Sequence, residues 1–155
     1  MEIIDKLIAS KAQALQYFDL PAETYHWSYA EGKWNIRQLL VHIVDAESVL
    51  YDRVRRIISE QPNPVIWAFD QDAWAAHLDY NTFPLTASKQ MFSGIREGVI
   101  HFTNKYYLSH GDLPFIHSTT GKRTLKDEID KIAWHSQGHL DQIELSLEKK
   151  LVIGD

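Results

Sequence analysis

The sequence predicts an all-α fold, a four-helix bundle with long connections, and three observations favour it. Apolar residues recur at three- and four-residue intervals in four segments, which is the spacing of amphipathic helices. Proline and glycine gather between those segments, where they end regular structure. The alternation of apolar and polar residues that marks strands is hard to find anywhere along the chain.

The first two helices are predicted from apolar periodicity and from one capping motif. The stretch from Asp19 to Lys33 contains proline and glycine and no sustained period, so it reads as a connection. Asn35 followed by Gln38 resembles a capping box, which predicts a second helix from there to about Glu60. The first helix spans residues 2 to 18, and its apolar positions are Ile3, Ile4, Leu7, Ile8, Ala12, Leu15 and Phe18.

The second half of the chain predicts two more long helices. Prolines end regular structure after the second helix, and the aromatic-rich stretch from Trp67 to Tyr80 predicts a short helix or an ordered loop. A third helix is predicted over residues 86 to 109, with Thr86 as its cap. Glycine and proline mark another connection, after which a Thr-x-x-Asp motif predicts the start of a fourth helix over residues 124 to 149.

Composition and charge exclude several classes of function. The 155 residues, 45% hydrophobic and 24% charged, predict one domain over residues 1–155. The absence of cysteine excludes disulfides and thiolate ligands, so any metal must be held by nitrogen or oxygen. A net charge of −5, with RVRR as the main basic cluster, argues against nucleic acid. No stretch reaches the roughly 20 apolar residues of a membrane span and the start lacks a signal-peptide pattern, so we expect a cytoplasmic protein with no membrane partner.

The histidines suggest a metal site. His135 and His139 are four residues apart on the fourth helix, so both rings lie on one face. By chance, eight histidines in 155 residues would give about 0.4 such pairs, so the spacing alone is weak evidence. His42 is the best third donor because it lies in the most apolar turn of the second helix, although it projects roughly 110° from that helix's apolar stripe. A lone histidine there is more often simply hydrogen-bonded, and His77 and His101 are reserve ligands.

Three segments together carry a resemblance to a known family. GKWNIRQLLVHIVDAESVLYDRV, PNPVIWAFDQDAWA and WHSQGHLDQI resemble, in order, the signature segments of the DinB-like superfamily, particularly its YfiT-type metal-dependent hydrolases. The match runs from Glu31 to Ile143. The resemblance implies a four-helix bundle that binds one divalent ion, zinc or nickel, through His42, His135 and His139. It also implies a homodimer that acts on a small-molecule substrate.

The reaction itself stays open at this point. The first hypothesis is hydrolysis, in which the ion activates water. The second is transfer of a low-molecular-weight thiol such as bacillithiol or mycothiol, as in relatives within the superfamily; that thiol must come from outside because the chain has no cysteine. The third is a binding module without turnover. No catalytic residue can be assigned.

Several neighbouring residues are candidates for supporting roles. Glu47 falls near the centre of the apolar stripe of the second helix, where it is either a general base or, more often for such a residue, part of a structural ion pair or hydrogen bond. Gln38 and Gln142 lie one turn from a candidate ligand and could orient its ring, although both also read as surface residues. Gly138, between the paired histidines, costs about 1 kcal/mol of helix stability relative to alanine. Four aromatic residues could line a pocket over the metal or simply fill the core: Trp67, Phe69, Trp74 and Trp134.

Overall fold

Four long helices and one short helix form most of the computed structural model, which describes residues 2–152. The long helices confirm the predicted segments to within three residues at each end, and the short one lies in the aromatic-rich stretch. A short 3-10 helix, Ala22–His26, lies in the first connection. The helices are α1 (Ile3–Tyr17), α2 (Ile36–Ser59), α3 (Gln71–His77), α4 (Leu85–Tyr106) and α5 (Leu125–Lys149).

Capping motifs fix the starts of the two helices that carry the candidate ligands. The Asn35 side chain accepts a hydrogen bond from the Gln38 backbone N–H, and the Gln38 side chain accepts one from the Asn35 N–H, both at 2.9 Å. Thr124 and Asp127 make the same reciprocal pair at the start of α5. The predicted cap of α4 was wrong: Pro84 precedes this helix without a side-chain cap, and Thr86 lies inside the first turn. Proline fixes a backbone angle suited to this entry, so no threonine cap is required.

Two small sheets correct the expectation of a purely helical fold. They were missed because strands of two to four residues are too short to show alternation, and because each sheet pairs segments far apart in sequence. The strands are β1 (Trp27–Ser28), β2 (Val65–Ile66), β3 (Pro114–His117), β4 (Gly121–Thr124) and β5 (Leu151–Val152). Strands β1 and β5 pair antiparallel. Strand β3 pairs in parallel with β2 and antiparallel with β4.

Helix α2 occupies the most enclosed position in the bundle. It packs against α4 and α5, while α1 packs against the same two helices. As its sequence predicts, the first half of α2 is buried on nearly every side. The core forms two clusters along the bundle, one around Leu50, Ile129 and Phe115 and the other around Leu40 and Leu140. Helices α2 and α5, which both contribute to each cluster, lie side by side. Within residues 2–152, none of the helices combines the length and apolar character that crossing a bilayer requires.

A buried arginine ties the four long helices together. Arg96 on α4 is fully buried and forms a two-pronged ion pair with Glu47 on α2. It also donates to the Leu7 carbonyl at 3.0 Å and to Ser10 Oγ at 2.7 Å, both on α1. A fifth bond, at 2.7 Å, reaches Ser136 Oγ on α5. Ser136 follows the candidate ligand His135 in the sequence. The network therefore holds this part of α5 in a fixed position against the other three long helices.

Candidate metal centre

Helices α2 and α5 bring three histidine rings to one point. The Nε2 atom of His135 lies 3.2 Å from Nε2 of His42 and 3.1 Å from Nε2 of His139. One ring nitrogen from each of the three residues lies within 4.8 Å of the others. His135 and His139 come from successive turns of α5, so their rings share a face, as their spacing predicts. The three predicted residues are therefore brought together.

The position of His42 resolves the difficulty raised by its sequence. Its side chain points away from the main apolar stripe of α2, and α5 covers that flank, so the ring is fully buried. The indole of Trp34, which lies just before the cap of α2, packs on the same ring with centroids 4.7 Å apart. Sequence reasoning did not single out Trp34. Its position next to the N-cap, where an apolar residue often fixes the entry of the chain, was the available signal.

All three imidazoles are held in the neutral form. Burial lowers the pKa of His42 to about 3, and its two neighbouring histidines lower it further in the same direction. Burial likewise lowers the pKa of His135 to about 3, with His139 and Lys131 adding to the effect. The pKa of His139 is also lowered by burial, against an opposing contribution from its hydrogen bond with Gln142. Neutral imidazole is the form that binds a metal ion.

The hydrogen bonds of the rings leave lone pairs directed at one another. The Gln142 side-chain oxygen accepts a hydrogen bond from His139 Nδ1 at 2.8 Å, so Nε2 of the neutral ring carries the free lone pair. The Nε2 atom of His135 lies between Nε2 of His42 and Nε2 of His139, and a single hydrogen on it could form a good hydrogen bond to only one of these two nitrogens. Three nitrogens at about 2.0–2.1 Å from a tetrahedral ion would be about 3.3 Å apart. The observed separations of 3.1 and 3.2 Å match that arrangement, so the donor set fits a divalent ion.

The two glutamines differ in what they contact. Gln142 orients His139, which agrees with the expectation from its spacing. Gln38 does not do the same for His42, because its side chain is committed to the capping box of α2. His42 Nδ1 is buried and has no hydrogen-bond partner among residues 2–152. The cost of burying this polar ring is therefore offset only at Nε2, which faces the other histidines.

Glu47 takes the structural alternative that its sequence position allowed. Its carboxylate is 1% exposed and both oxygens accept hydrogen bonds from Arg96. Both carboxylate oxygens are therefore already occupied by charge-assisted hydrogen bonds. Glu47 is therefore not available as a general base in this arrangement.

Two cavities reach the histidine group, one at His139 and the other at His135. A cavity of about 250 Å³ touches His139, Trp34 and Gln142. A second, of about 180 Å³, touches His135 and Phe69. Gln71 at the start of α3 lines both cavities.

The predicted aromatic pocket is correct only in part. Phe69 lines the cavity beside His135, and Trp74 packs against Phe69 with centroids 5.0 Å apart. Trp67 and Trp134 are 77% and 74% exposed and line neither of these two cavities. Trp134 instead borders a larger cavity of about 830 Å³ between α1 and α5, which contains none of the three histidines.

The remaining histidines lie elsewhere, with one exception. The reserve ligands His77 and His101 are exposed and do not join the three-histidine group. His117 falls between the third and fourth predicted helices; it is buried on β3 and lines the cavity beside His135. Lys131 lines the same cavity and was also missed. Its spacing of four residues from His135 was a usable signal, since the two share a face of α5.

Comparisons with known proteins place this geometry in a family. The sequence profile of the DinB superfamily matches residues 6–143. An Oceanobacillus iheyensis protein named "Putative metal-dependent hydrolase OB0413" is 33% identical over 120 residues, which are 77% of this chain and 68% of that protein. A similarly named Bacillus cereus protein is 29% identical over 133 residues, or 86% of this chain and 75% of that one.

A solved structure shares the fold. YfiT from Bacillus subtilis, described as having "an unusual four-helix bundle topology", matches with a TM-score of 0.84. The match covers 94% of this chain and 85% of YfiT at 23% sequence identity. The long helices seen here are thus arranged as in that bundle.

Proposed function

The chain belongs to the DinB superfamily, and from that premise we propose that it is a metal-dependent hydrolase whose ion is held by His42, His135 and His139. The single observation that carries the proposal is the convergence of three neutral imidazole nitrogens, with separations of 3.1 and 3.2 Å, on one point. Structural zinc sites are usually closed by four protein ligands, whereas three ligands leave a position for chemistry.

The names of relatives support the same reaction class. Both relatives carry the name of a metal-dependent hydrolase. YfiT is described in the words "probable metal-dependent hydrolase". These names support the class of reaction and leave the substrate to be found.

An ion bound at this centre supplies Lewis-acid chemistry, which polarises a substrate carbonyl and lowers the pKa of water toward about 7. The residues of the chain hold the site in shape for that chemistry. Gln142 keeps His139 in one tautomer, and Trp34 covers His42 against solvent. The two cavities that reach His135 and His139 are the routes by which a small substrate approaches.

We propose zinc or nickel as the ion. Three imidazole donors suit borderline metals such as these, whereas magnesium and calcium prefer oxygen ligands. The chain offers no thiolate, and among residues 2–152 the three histidines are the one group of potential ligands that meets at a point.

The first test is the metal content of protein purified without a metal-affinity tag. We expect about one zinc or nickel ion per chain in the wild type. His42→Ala should lose most of that metal, because two imidazoles on one helix remain, whereas His77→Ala should keep it. Full metal content in the His42→Ala protein would remove the assignment.

The second test separates hydrolysis from thiol transfer and from binding without turnover. The metal-loaded protein is assayed with panels of esters, amides and lactams, and in parallel with an electrophile plus each cellular thiol. Hydrolysis that falls with the metal content of His42→Ala supports the proposal. Turnover only in the presence of a thiol would replace it with a transferase, and no turnover in either panel would leave a binding module.

A further inference from the structure

The cavity beside His135 has the size of a single ring. Its volume is about 180 Å³, and a protein cavity of about 150 Å³ is large enough to bind benzene. One wall carries apolar side chains from α2 and from the segment before α3. Other lining residues can carry charge or donate hydrogen bonds. The lining residues that matter here are Leu50, Arg53, Phe69, His117, Lys131 and His135.

Lys131 places an unpaired positive charge at this cavity. It lies one turn before His135 on α5 and is partly buried, and burial lowers its pKa. Within residues 2–152 its ammonium makes no hydrogen bond or ion pair, although Glu128 is near enough to oppose the lowering of the pKa. A partly buried cation without a partner is costly, so such a group is a candidate for meeting a ligand.

The arginine at the same cavity is already occupied. Arg53 donates to Glu128 at 3.0 Å, with both side chains 4% exposed. It also donates to the Trp67 carbonyl at 2.8 Å. Its Nε is buried and has no hydrogen-bond partner in the described part of the chain, residues 2–152. Two cationic side chains, Arg53 and Lys131, line the cavity, and no carboxylate among residues 2–152 does. Glu128 pairs with Arg53, whereas the charge of Arg123 lies near enough to lower the pKa of Lys131, so the surroundings of the cavity are net positive.

His117 adds a neutral donor. Its Nδ1 accepts hydrogen bonds from the backbone N–H groups of Thr119 and Thr120, both at 3.3 Å. The neutral ring therefore carries its hydrogen on Nε2, where it can donate. Burial and the nearby charge of Arg53 lower the pKa of His117, which keeps the ring neutral.

We propose that the substrate carries a carboxylate on a ring-sized apolar group, and that Lys131 and His117 bind this carboxylate in the cavity beside His135. The net positive surroundings of the cavity match an anionic group such as a carboxylate. The more highly charged phosphate favours an open guanidinium fork, and the fork of Arg53 is already used by Glu128 and a backbone carbonyl. The apolar wall accounts for the rest of the bound group. The inference rests on the proposed function, because it names the substrate class of the same site.

The test uses benzoate and its uncharged counterpart benzamide as probes. Both are titrated by calorimetry into the full chain, once loaded with zinc and once treated with a chelator. We expect benzoate to bind at least about tenfold more tightly than benzamide in both forms, as a charge-assisted hydrogen bond predicts. Lys131→Met should remove that preference and Lys131→Arg should retain most of it. Lys126→Met, which removes an exposed lysine on the same helix, is the matched control and should change nothing.

Three outcomes contradict the inference. Equal affinity for the two probes, or unchanged benzoate binding in Lys131→Met, would overturn it. Benzoate binding confined to the zinc-loaded form would assign the anion to the ion instead of the cavity. Metal content is measured on the same samples, so the two proposals fail separately. Charge-selective binding without metal uptake removes the hydrolase proposal alone, and metal uptake without charge selectivity removes the carboxylate site alone.

Discussion

Gln142 determines which nitrogen of His139 is available to an ion. Its side-chain oxygen accepts the Nδ1 hydrogen at 2.8 Å, so the lone pair stays on Nε2. We expect Gln142→Leu to weaken zinc affinity about tenfold, the lower end of what such supporting contacts contribute. Competition with a chromophoric chelator measures this. Gln137→Leu, an exposed glutamine on the same helix, should bind zinc as the wild type does. Equal affinity in both variants would show that the hydrogen bond does not orient the ring.

The buried imidazoles also predict how the stability of the metal-free protein depends on pH. The pKa of His42 is about 3 in the folded protein, against an ordinary value of 6.5. As the pH falls below 6.5, the unfolded chain takes up a proton that the folded chain refuses. The free energy of unfolding should therefore decrease from pH 6.5 toward pH 3, by up to about 1.4 kcal/mol per pH unit for each such histidine. Above pH 6.5 this effect is absent.

Urea denaturation of the metal-free protein between pH 7 and pH 4.5 measures this slope. His42→Leu should show a shallower slope than the wild type, by about the contribution of one proton, or about 1.4 kcal/mol per pH unit. His101→Leu, at an exposed position, should follow the wild type because that ring is in water in both states. Parallel curves for the wild type and His42→Leu would contradict the pKa assignment.

At the residue scale, the three histidines could be found from sequence, but their surroundings could not. The spacing of His135 and His139 fixes their shared face because it depends on one helix alone. Trp34 and His117 reach the site from a connection and a short strand, so their approach depends on how distant segments pack. Local periodicity contains no information about that packing.

At the scale of elements, Gly138 is a weak point of α5 that packing does not explain. A Cβ atom built there would meet nothing within 4 Å, so alanine has room. We expect Gly138→Ala to raise the free energy of unfolding by about 0.5–1 kcal/mol, the usual difference between glycine and alanine in a helix. Metal content should stay unchanged. Thermal or urea unfolding measures the gain.

Gly98 on α4 is the matched control for that substitution. A Cβ atom there would lie 2.7 Å from the Tyr51 hydroxyl oxygen, so the tyrosine side chain has to move. Gly98→Ala should therefore raise the free energy of unfolding less than Gly138→Ala does, or lower it. If the two variants gained equally, the difference in space around the two glycines would have no energetic effect.

The helices were predictable and the strands were not, for a common reason. The capping residues of α2 and α5 act within three residues of one another, so sequence reveals both helix starts. Thr86 is a residue type that often caps helices, but α4 already begins at Leu85, directly after Pro84, so Thr86 lies inside the helix. The strand β3 joins β2 and β4 over two to four residues each, and such pairing depends on the finished bundle.

At the scale of the whole molecule, the ion pair of Arg96 with Glu47 is the point where all four long helices meet. The two side chains are 0% and 1% exposed, and the guanidinium also bonds groups on α1 and α5. Removing one partner of such a pair leaves a buried charge alone, which typically costs about 3–5 kcal/mol. Replacing both partners by apolar side chains of similar size is often close to neutral.

We therefore expect Arg96→Met to lower the free energy of unfolding by about 3–5 kcal/mol, and the double variant with Glu47→Leu to recover most of that loss. Urea denaturation of the two single variants and the double variant gives the coupling energy directly. Arg56→Met is the control, because Arg56 pairs with Asp52 at 2.7 Å where both side chains are about half exposed; it should cost at most about 1 kcal/mol. A double variant as unstable as Arg96→Met would mean that the stability comes from the bonds of Arg96 to α1 and α5. In that case replacing Glu47 would neither cost nor restore stability once Arg96 is absent, and the ion pair itself would contribute little beyond the bonds that Arg96 makes to α1 and α5.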